Sequence, residues 1–429
     1  METAYYTGLF ISMLLLGGQA LATESSPAGS EAEAHFKMGF RSLRAEDYPG
    51  ALKFFEKAIK ENPRYAEAYF HKGYSYDRLG WYQEAVTAYS RAIEINPTGF
   101  GAYDNWCWAY ARLGRWTEAV ATCSQAVRMR PTPEGFNSLG RAYGKLGSWP
   151  NAIEAFRDAV AIWPDFPEAL NNLGWAYTGL DRYAEAIEAY RRAICLKPTL
   201  VETYYNLAKA YVGLARAQEM GTSLSRNAPE SSVPQAERKT DSVNDSHGYY
   251  EKAKQAYLES VRAKPDCAKA YNELGWVYGR LGQWKEAEEA YRRSIRLKAD
   301  YAEPHHNLGA AHAAQGQWED AARAFKAAIR FKPDFATAHL SLALAEGNLG
   351  HYARAIKACR QAIRIQPGIA EAHYHLGVFY LAVGDRRSAL DQRRSIENLD
   401  QNLARQFGKL VASRYTLRMQ ESHDRFGGR

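Results

Sequence analysis

The sequence predicts an all-α protein: a right-handed superhelical solenoid of about ten helical hairpins, closed by a C-terminal capping helix. Three observations carry that prediction. Prolines recur at Pro63, Pro97, Pro131, Pro164, Pro198, Pro265, Pro333 and Pro367, in steps of 33 or 34 residues and two of about double that length. Aromatic and small residues return at fixed offsets between them, as Tyr69, Gly73, Tyr76, Ala85, Tyr89 and Ala92 do in one unit. Leucine-glycine pairs mark a turn midway, at Leu79-Gly80, Leu113-Gly114, Leu146-Gly147, Leu281-Gly282 and Leu349-Gly350. Self-similarity of this length means one supersecondary unit repeated, each burying its apolar face on the next.

Within Ala66–Pro97, Tyr69 and Gly73 share one helical face, and Ala85, Tyr89 and Ala92 share another. Gly80 stops the first helix because glycine accepts the left-handed conformation. Pro97 stops the second because it lacks an N–H and crowds the preceding turn. The unit is therefore two antiparallel helices, with the small residues letting the backbones approach and the aromatics filling the gaps. Leu173-Gly174, Tyr177, Ala186, Tyr190, Ala193 and Pro198 repeat this register, and so do Leu274-Gly275, Tyr278, Ala287 and Tyr291. Leu308-Gly309, Ala321, Phe325, Ala328 and Pro333 follow. One double step contains an insertion; the other conceals a unit ending in Ala299.

The end units are worn, as terminal repeats are expected to be. Ser42 replaces the tyrosine in the first, and Arg393 stands at the second-helix aromatic position of the tenth. Beyond it, Ile396, Leu399, Leu403, Phe407, Leu410 and Val411 keep a helical apolar spacing, which predicts an extra helix over the last hydrophobic face. The expected organisation is a signal peptide at 1–22, a spacer at 23–31, and repeats one to six (first part) at 32–215. A disordered insertion at 216–248 then interrupts the sixth repeat, whose remainder and repeats seven to ten occupy 249–404. The capping helix and a basic tail occupy 405–429. The insertion is rich in Ser, Asn, Asp and Pro and poor in apolar residues, the composition of a chain that cannot bury enough surface to order itself. It is either a tolerated spacer or a tether.

The apolar run Leu9–Leu16 lies between Glu2 and Glu24 and is followed by Ala20-Leu21-Ala22, which reads as a cleavable secretory signal. Glu2, where a basic residue is usual, leaves two other readings open: an uncleaved membrane anchor or a misassigned start. The array is expected outside the cytoplasmic membrane, periplasmic or extracellular, with membrane contact only if that segment is retained. Five cysteines show no clustered spacing and read as buried thiols. Cys107 and Cys123 face each other across one hairpin, so an oxidising compartment would allow a disulfide there.

Hydrophobic residues at 46% and aromatics at 13% supply a continuous core, and the repeat itself accounts for most of the 29 Tyr and 10 Trp. The net charge of +7 is spread along the second helices instead of gathered on one face, which argues against a nucleic-acid partner.

At these offsets the chain resembles the tetratricopeptide-repeat (TPR) family, whose pattern runs W-x2-L-G-x2-Y, then A-x3-F, A and P. In that family the first helices line the concave face, and set positions point into it. Carried over to this sequence, position nine is aromatic at Phe40, Tyr74, Trp108, Trp175 and Trp276, with Arg141 and Lys209 intervening. Position six gives Asn105, Asn172, Asn206 and Asn307, and position two is acidic in most units. Carboxamides carry both donor and acceptor, so spaced asparagines suit the backbone of an extended peptide whatever its sequence. Such a ladder resembles the TPR segment of O-linked N-acetylglucosamine transferases, without any catalytic domain here. The Lys/Asn/Arg set of a carboxylate clamp is not found. Against groove binding stands the plainer reading that the lining is solvated and that Trp108 or Trp175 packs on a neighbouring helix.

No phosphate loop, nucleophile elbow or zinc spacing occurs in the sequence. His305, His339 and His373 recur at position four, a packing position, and read as packing residues instead of metal ligands. No catalytic residue, metal, cofactor or small-molecule substrate is expected. The expectation is a non-catalytic adaptor holding a peptide or partner segment in its groove, in envelope or secretion-related assembly. A recognition subunit of a glycosyltransferase or polysaccharide-export complex is one alternative, and a self-stacking structural protein is another.

Overall fold

A computed structural model describes residues 27–227 and 242–412. Those residues form helices joined by short turns, with no strand among them. The helices are α1 (Pro27–Arg44), α2 (Tyr48–Glu61), α3 (Ala66–Arg78), α4 (Tyr82–Ile95), α5 (Phe100–Arg112), α6 (Trp116–Met129), α7 (Pro133–Lys145), α8 (Trp149–Ile162) and α9 (Pro167–Thr178). They continue with α10 (Tyr183–Leu196), α11 (Val201–Asn227), α12 (Ser242–Ala263), α13 (Ala268–Arg280), α14 (Trp284–Leu297), α15 (Ala302–Ala314) and α16 (Trp318–Phe331). The series closes with α17 (Ala336–Asn348), α18 (Tyr352–Ile365), α19 (Ala370–Ala382), α20 (Arg386–Leu399) and α21 (401–412). Through α20, odd helices are the first of each hairpin and even helices the second; α21 stands alone. The chain divides into two compact units, one ending at Arg182 and the other beginning at Tyr183. Within each, helices pack on their sequence neighbours, which is the all-α solenoid the period predicts.

One device recurs along both units. A small residue on the first helix faces an aromatic ring on the second, sixteen positions later. A Cβ added at Gly73 would stand 2.8 Å from the Tyr89 ring, and at Gly140, Gly275 and Gly309 it would stand 2.6–2.7 Å from Phe156, Tyr291 and Phe325. Tyr89, Phe156, Tyr291 and Phe325 are buried. In the third hairpin the pair is Cys107 and Cys123, whose Cα atoms are 5.2 Å apart and whose sulfurs are joined as a disulfide. The interhelical turns keep their glycines at positive φ, for example 79° at Gly80, where the Trp81 N–H donates to the Tyr76 carbonyl at 2.9 Å. In the first hairpin Glu46 takes that place at φ 57°.

The insertion is more ordered at its edges than its composition implies. Instead of ending near Leu214, α11 runs on to Asn227, and α12 begins at Ser242; only 228–241 lies outside the described residues. Ala217, Gln218, Glu219 and Met220 are good helix formers. Contacts outside the helix hold the extension: the Arg216 guanidinium lies 4.3 Å from the Trp276 ring centroid, and Glu219 pairs with Arg280.

At the C-terminus the cap begins earlier than position 405. The Asp400 carboxylate accepts from the Asn402 and Leu403 N–H groups at 2.8 and 3.0 Å and starts α21, whose Ala404 and Phe407 are buried. The signal segment 1–22 lies outside the described residues, as does the tail from 413. Pro27, within the expected spacer, already belongs to α1. None of the described helices is long and apolar enough to cross a membrane.

Candidate binding groove

Curvature places the site. In the first unit α1 meets α3, α3 meets α5, α5 meets α7 and α7 meets α9; in the second, α13 meets α15, α15 meets α17 and α17 meets α19. Successive first helices thus touch one another, as second helices do not to the same extent among the described residues. The first helices form the tighter, inner side of each unit, and the side chains they turn outward line a groove.

The asparagines form part of a ladder between repeats. The Asn172 Nδ2 donates to Asn137 Oδ1 at 2.8 Å, and the Asn307 Nδ2 donates to Asn272 Oδ1 at 3.0 Å. His306 Nε2 and Ser341 Oγ, at 3.2 Å, extend the same pattern by one repeat. Asn137 and Asn272 are buried, whereas Asn172 and Asn307 are half-buried. An amide with one N–H committed keeps a second N–H and carbonyl lone pairs for a further partner. Asn105 on α5 and Asn206 on α11 are half-buried as well.

The aromatic row divides in two. Trp175 is a packing residue: it meets Trp149 edge-on at 5.0 Å, covers Gly144 and lies 5.7 Å from the Lys145 ammonium. Tyr74, Trp108 and Trp276 instead belong to a stack that the sequence reading missed. Arg78 sits over Tyr48 (5.0 Å) and Tyr74 (6.0 Å), and its Nη1 donates to Tyr74 Oη. Arg112 sits over Tyr82 (5.0 Å) and Trp108 (5.5 Å), and its Nη2 donates to Tyr82 Oη at 2.7 Å. Arg280 repeats this between Tyr250 (5.3 Å) and Trp276 (5.8 Å). Each arginine bridges one repeat to the next, and each lies thirty residues after its tyrosine; that spacing was the available signal. Arg141 approaches Trp108 from α7 at 5.8 Å, and Lys209 lies over Tyr205 at 6.0 Å.

Other polar groups are tied into the scaffold. His305, His339 and His373 each turn Nε2 toward a carbonyl six residues earlier, of Ala299, Pro333 and Pro367, at 3.0–3.3 Å. They thereby close the preceding hairpin. His71 is enclosed by Phe36, Phe40, Phe55 and Phe70 with ring centroids 5.0–5.8 Å away, and desolvation lowers its pKa to about 4. Burial pushes the Asp77 carboxyl up to about 6, opposed by Arg112 and Arg78, and does the same to Asp104. The first helices thus carry amides, cations beside aromatic rings, and aromatic faces, which are groups able to bind a peptide.

Comparison with family models matches a model described as tetratricopeptide repeat at residues 41–100, 137–200, 306–369 and 342–391. A model described as TPR repeat matches 277–316. No curated protein matches the chain. Among solved structures, a MamA fragment from Desulfovibrio magneticus RS-1 is 22% identical, covering 40% of this chain and 98% of its own, with TM-score 0.39. TTC0263, a thermophilic TPR protein of Thermus thermophilus, is 24% identical over 50% of this chain and 98% of its own, with TM-score 0.36. YrrB, described as a TPR protein with an unusual peptide-binding site, is 21% identical over 51% and 96%, with TM-score 0.38.

Proposed function

Because this chain belongs to the tetratricopeptide-repeat family, a fold that typically serves as a scaffold for protein partners, we propose that it is a non-catalytic adaptor holding an extended peptide segment along its first helices. One observation carries the reading. The position-six amides sit on the inner side of each unit, and Asn172 and Asn307 are held in place by Asn137 and Asn272. A pre-positioned amide loses little side-chain entropy when it meets a peptide backbone. We further propose that the chain works outside the cytoplasm, in envelope or secretion-related assembly. The apolar run and Ala20-Leu21-Ala22 support this, and so does the Cys107–Cys123 disulfide, since such bonds persist in oxidising compartments.

The test is site-specific photo-crosslinking in the native host. A photoreactive residue replaces Ser138, at position six of α7, or Ala121, which is exposed on α6. The groove reading expects a partner captured from position 138 and not from 121. Capture from 121 alone moves the interaction to the outer helices and ends the proposal.

A further inference from the structure

Four of the first helices of the N-terminal unit carry a row of exposed cations that the last three repeats do not share. At position thirteen stand Arg44 on α1, Arg78 on α3, Arg112 on α5 and Lys145 on α7, and Arg141 lies one turn from Lys145. The row breaks at Gly179 after α9 and Gly213 on α11, returns once at Arg280 on α13, and is absent from α15, α17 and α19, where Ala314, Asn348 and Ala382 stand. In the same repeats, position nine changes from Tyr74 and Trp108 to Ala310, Leu344 and Val378. The cations are therefore not a requirement of the hairpin.

Two of them are also pre-arranged. Arg78 and Arg112 are each held between two aromatic rings. Two flanking rings restrict the motion of each guanidinium, whose planar fork suits bidentate recognition of a carboxylate. A guanidinium has five N–H donors, so it can hold a scaffold partner and a ligand together. Two carboxyls face these cations: Glu46 acts on Arg78, and Asp77, near both arginines, is largely buried, which pushes its carboxyl up to about 6.

Spacing narrows the ligand. First helices in direct contact have axes about 8–10 Å apart, and an extended chain advances about 3.3 Å per residue. Successive cations therefore match every third residue of an extended peptide. Resting on the groove reading above, we infer that the N-terminal unit selects extended acidic peptides, with a carboxylate about every third residue facing Arg44, Arg78, Arg112 and Lys145 in turn.

The experiment measures binding of synthetic peptides to the full-length protein by fluorescence anisotropy. The probes are a peptide with glutamate at every third position, its glutamine counterpart, and an isomer with the glutamates clustered at one end. Arg44→Gln/Arg141→Gln/Lys145→Gln leaves both stacked guanidiniums in place, and Lys57→Gln/Arg91→Gln/Arg128→Gln on α2, α4 and α6 matches its loss of charge. The spaced glutamate peptide is expected to bind at least about tenfold more tightly than the other two, with affinity falling as salt rises. Only the first variant is expected to lose that advantage. Equal affinity for the glutamate and glutamine peptides overturns the acidic class while leaving the groove reading intact. So does the absence of any peptide binding when crosslinking from position 138 still captures a partner; failure of both removes the groove reading too. Equal losses in the two variants, or tighter binding of heparin or single-stranded nucleic acid, replaces the proposal with a general polyanion surface.

Discussion

Phe407 lies over Gly377, in the space that Tyr89 fills over Gly73 and Phe325 fills over Gly309. A Cβ at Gly377 would stand 2.5 Å from the Phe407 ring. The residue sixteen positions after Gly377 is Arg393, which is exposed and pairs with Glu397 instead. The capping helix thus lends the last hairpin the aromatic that its own second helix lacks. Leu376, Phe379, Ile396 and Ala404 close around the same cluster.

Phe407→Ala is expected to cost about 3–5 kcal/mol, the usual range for truncating a fully buried phenylalanine. Because neighbouring repeats stabilise one another in series, the loss should begin at the end of the array. Hydrogen exchange resolved by peptide should show faster exchange over 370–412 and little change before 340. Uniform loss of protection across the second unit would mean that the cap is not a local device.

Gly309→Ala tests the close approach within a hairpin. Its new Cβ would meet Phe325 atoms at 2.6–3.0 Å. Overpacking of this kind costs about 1–3 kcal/mol, against a gain of about 1 kcal/mol from replacing a mid-helix glycine. The balance is expected to be net destabilising in urea titrations. Phe325→Leu should relieve part of the penalty in a double-mutant cycle, and additive effects would show that the ring does not bear on the glycine.

The hairpin register was legible in the sequence because a solenoid repeats its solutions: Gly73 with Tyr89 can be compared with Gly140 and Phe156 in the same chain. The cap was legible from Leu403, Phe407 and Leu410, although its start at Asp400 was not, since one capping carboxylate carries little signal. Composition failed at Arg216–Asn227, where tertiary contacts to Trp276 and Arg280 outweigh the local bias toward disorder. On the first helices, position-specific reading picked out Asn172 and Trp108 as candidates. It could not tell Trp175, which covers Gly144, from Trp108, which lies between two guanidiniums. That distinction depends on the size of a residue in the preceding repeat, which the position of the tryptophan alone does not reveal.

Cys107 and Cys123 replace the glycine-aromatic pair of the third hairpin by a covalent link across sixteen residues. Closing a loop of about this length contributes about 3 kcal/mol in the chain-entropy model. Cys107→Ala/Cys123→Ala is therefore expected to unfold at lower urea concentration than the oxidised protein. Thiol titration of the denatured, unreduced protein should find Cys195, Cys267 and Cys359 free. Recovery of Cys107 and Cys123 as free thiols from the native compartment would refute the bond.

His71 provides a local pH readout. Its folded pKa is lowered to about 4 by its enclosure, against an ordinary value of 6.5. The unfolded chain therefore binds the proton more readily. The stability associated with neutral His71 is complete above pH 6.5 and is lost as pH falls toward 4. Asp77 and Asp104 act in the opposite sense: with carboxyls raised to about 6, their contribution is greatest in acid and is lost as pH rises through 6. A bulk melting curve mixes these effects, so the histidine has to be read directly. Its ring resonances should stay unshifted from pH 8 down to about 5 in NMR titration. His71→Phe should lose less stability than the wild type between pH 7 and pH 5. A His71 midpoint near 6.5 would mean that water reaches the ring, and that the cluster of Phe36, Phe40, Phe55 and Phe70 does not enclose it in solution.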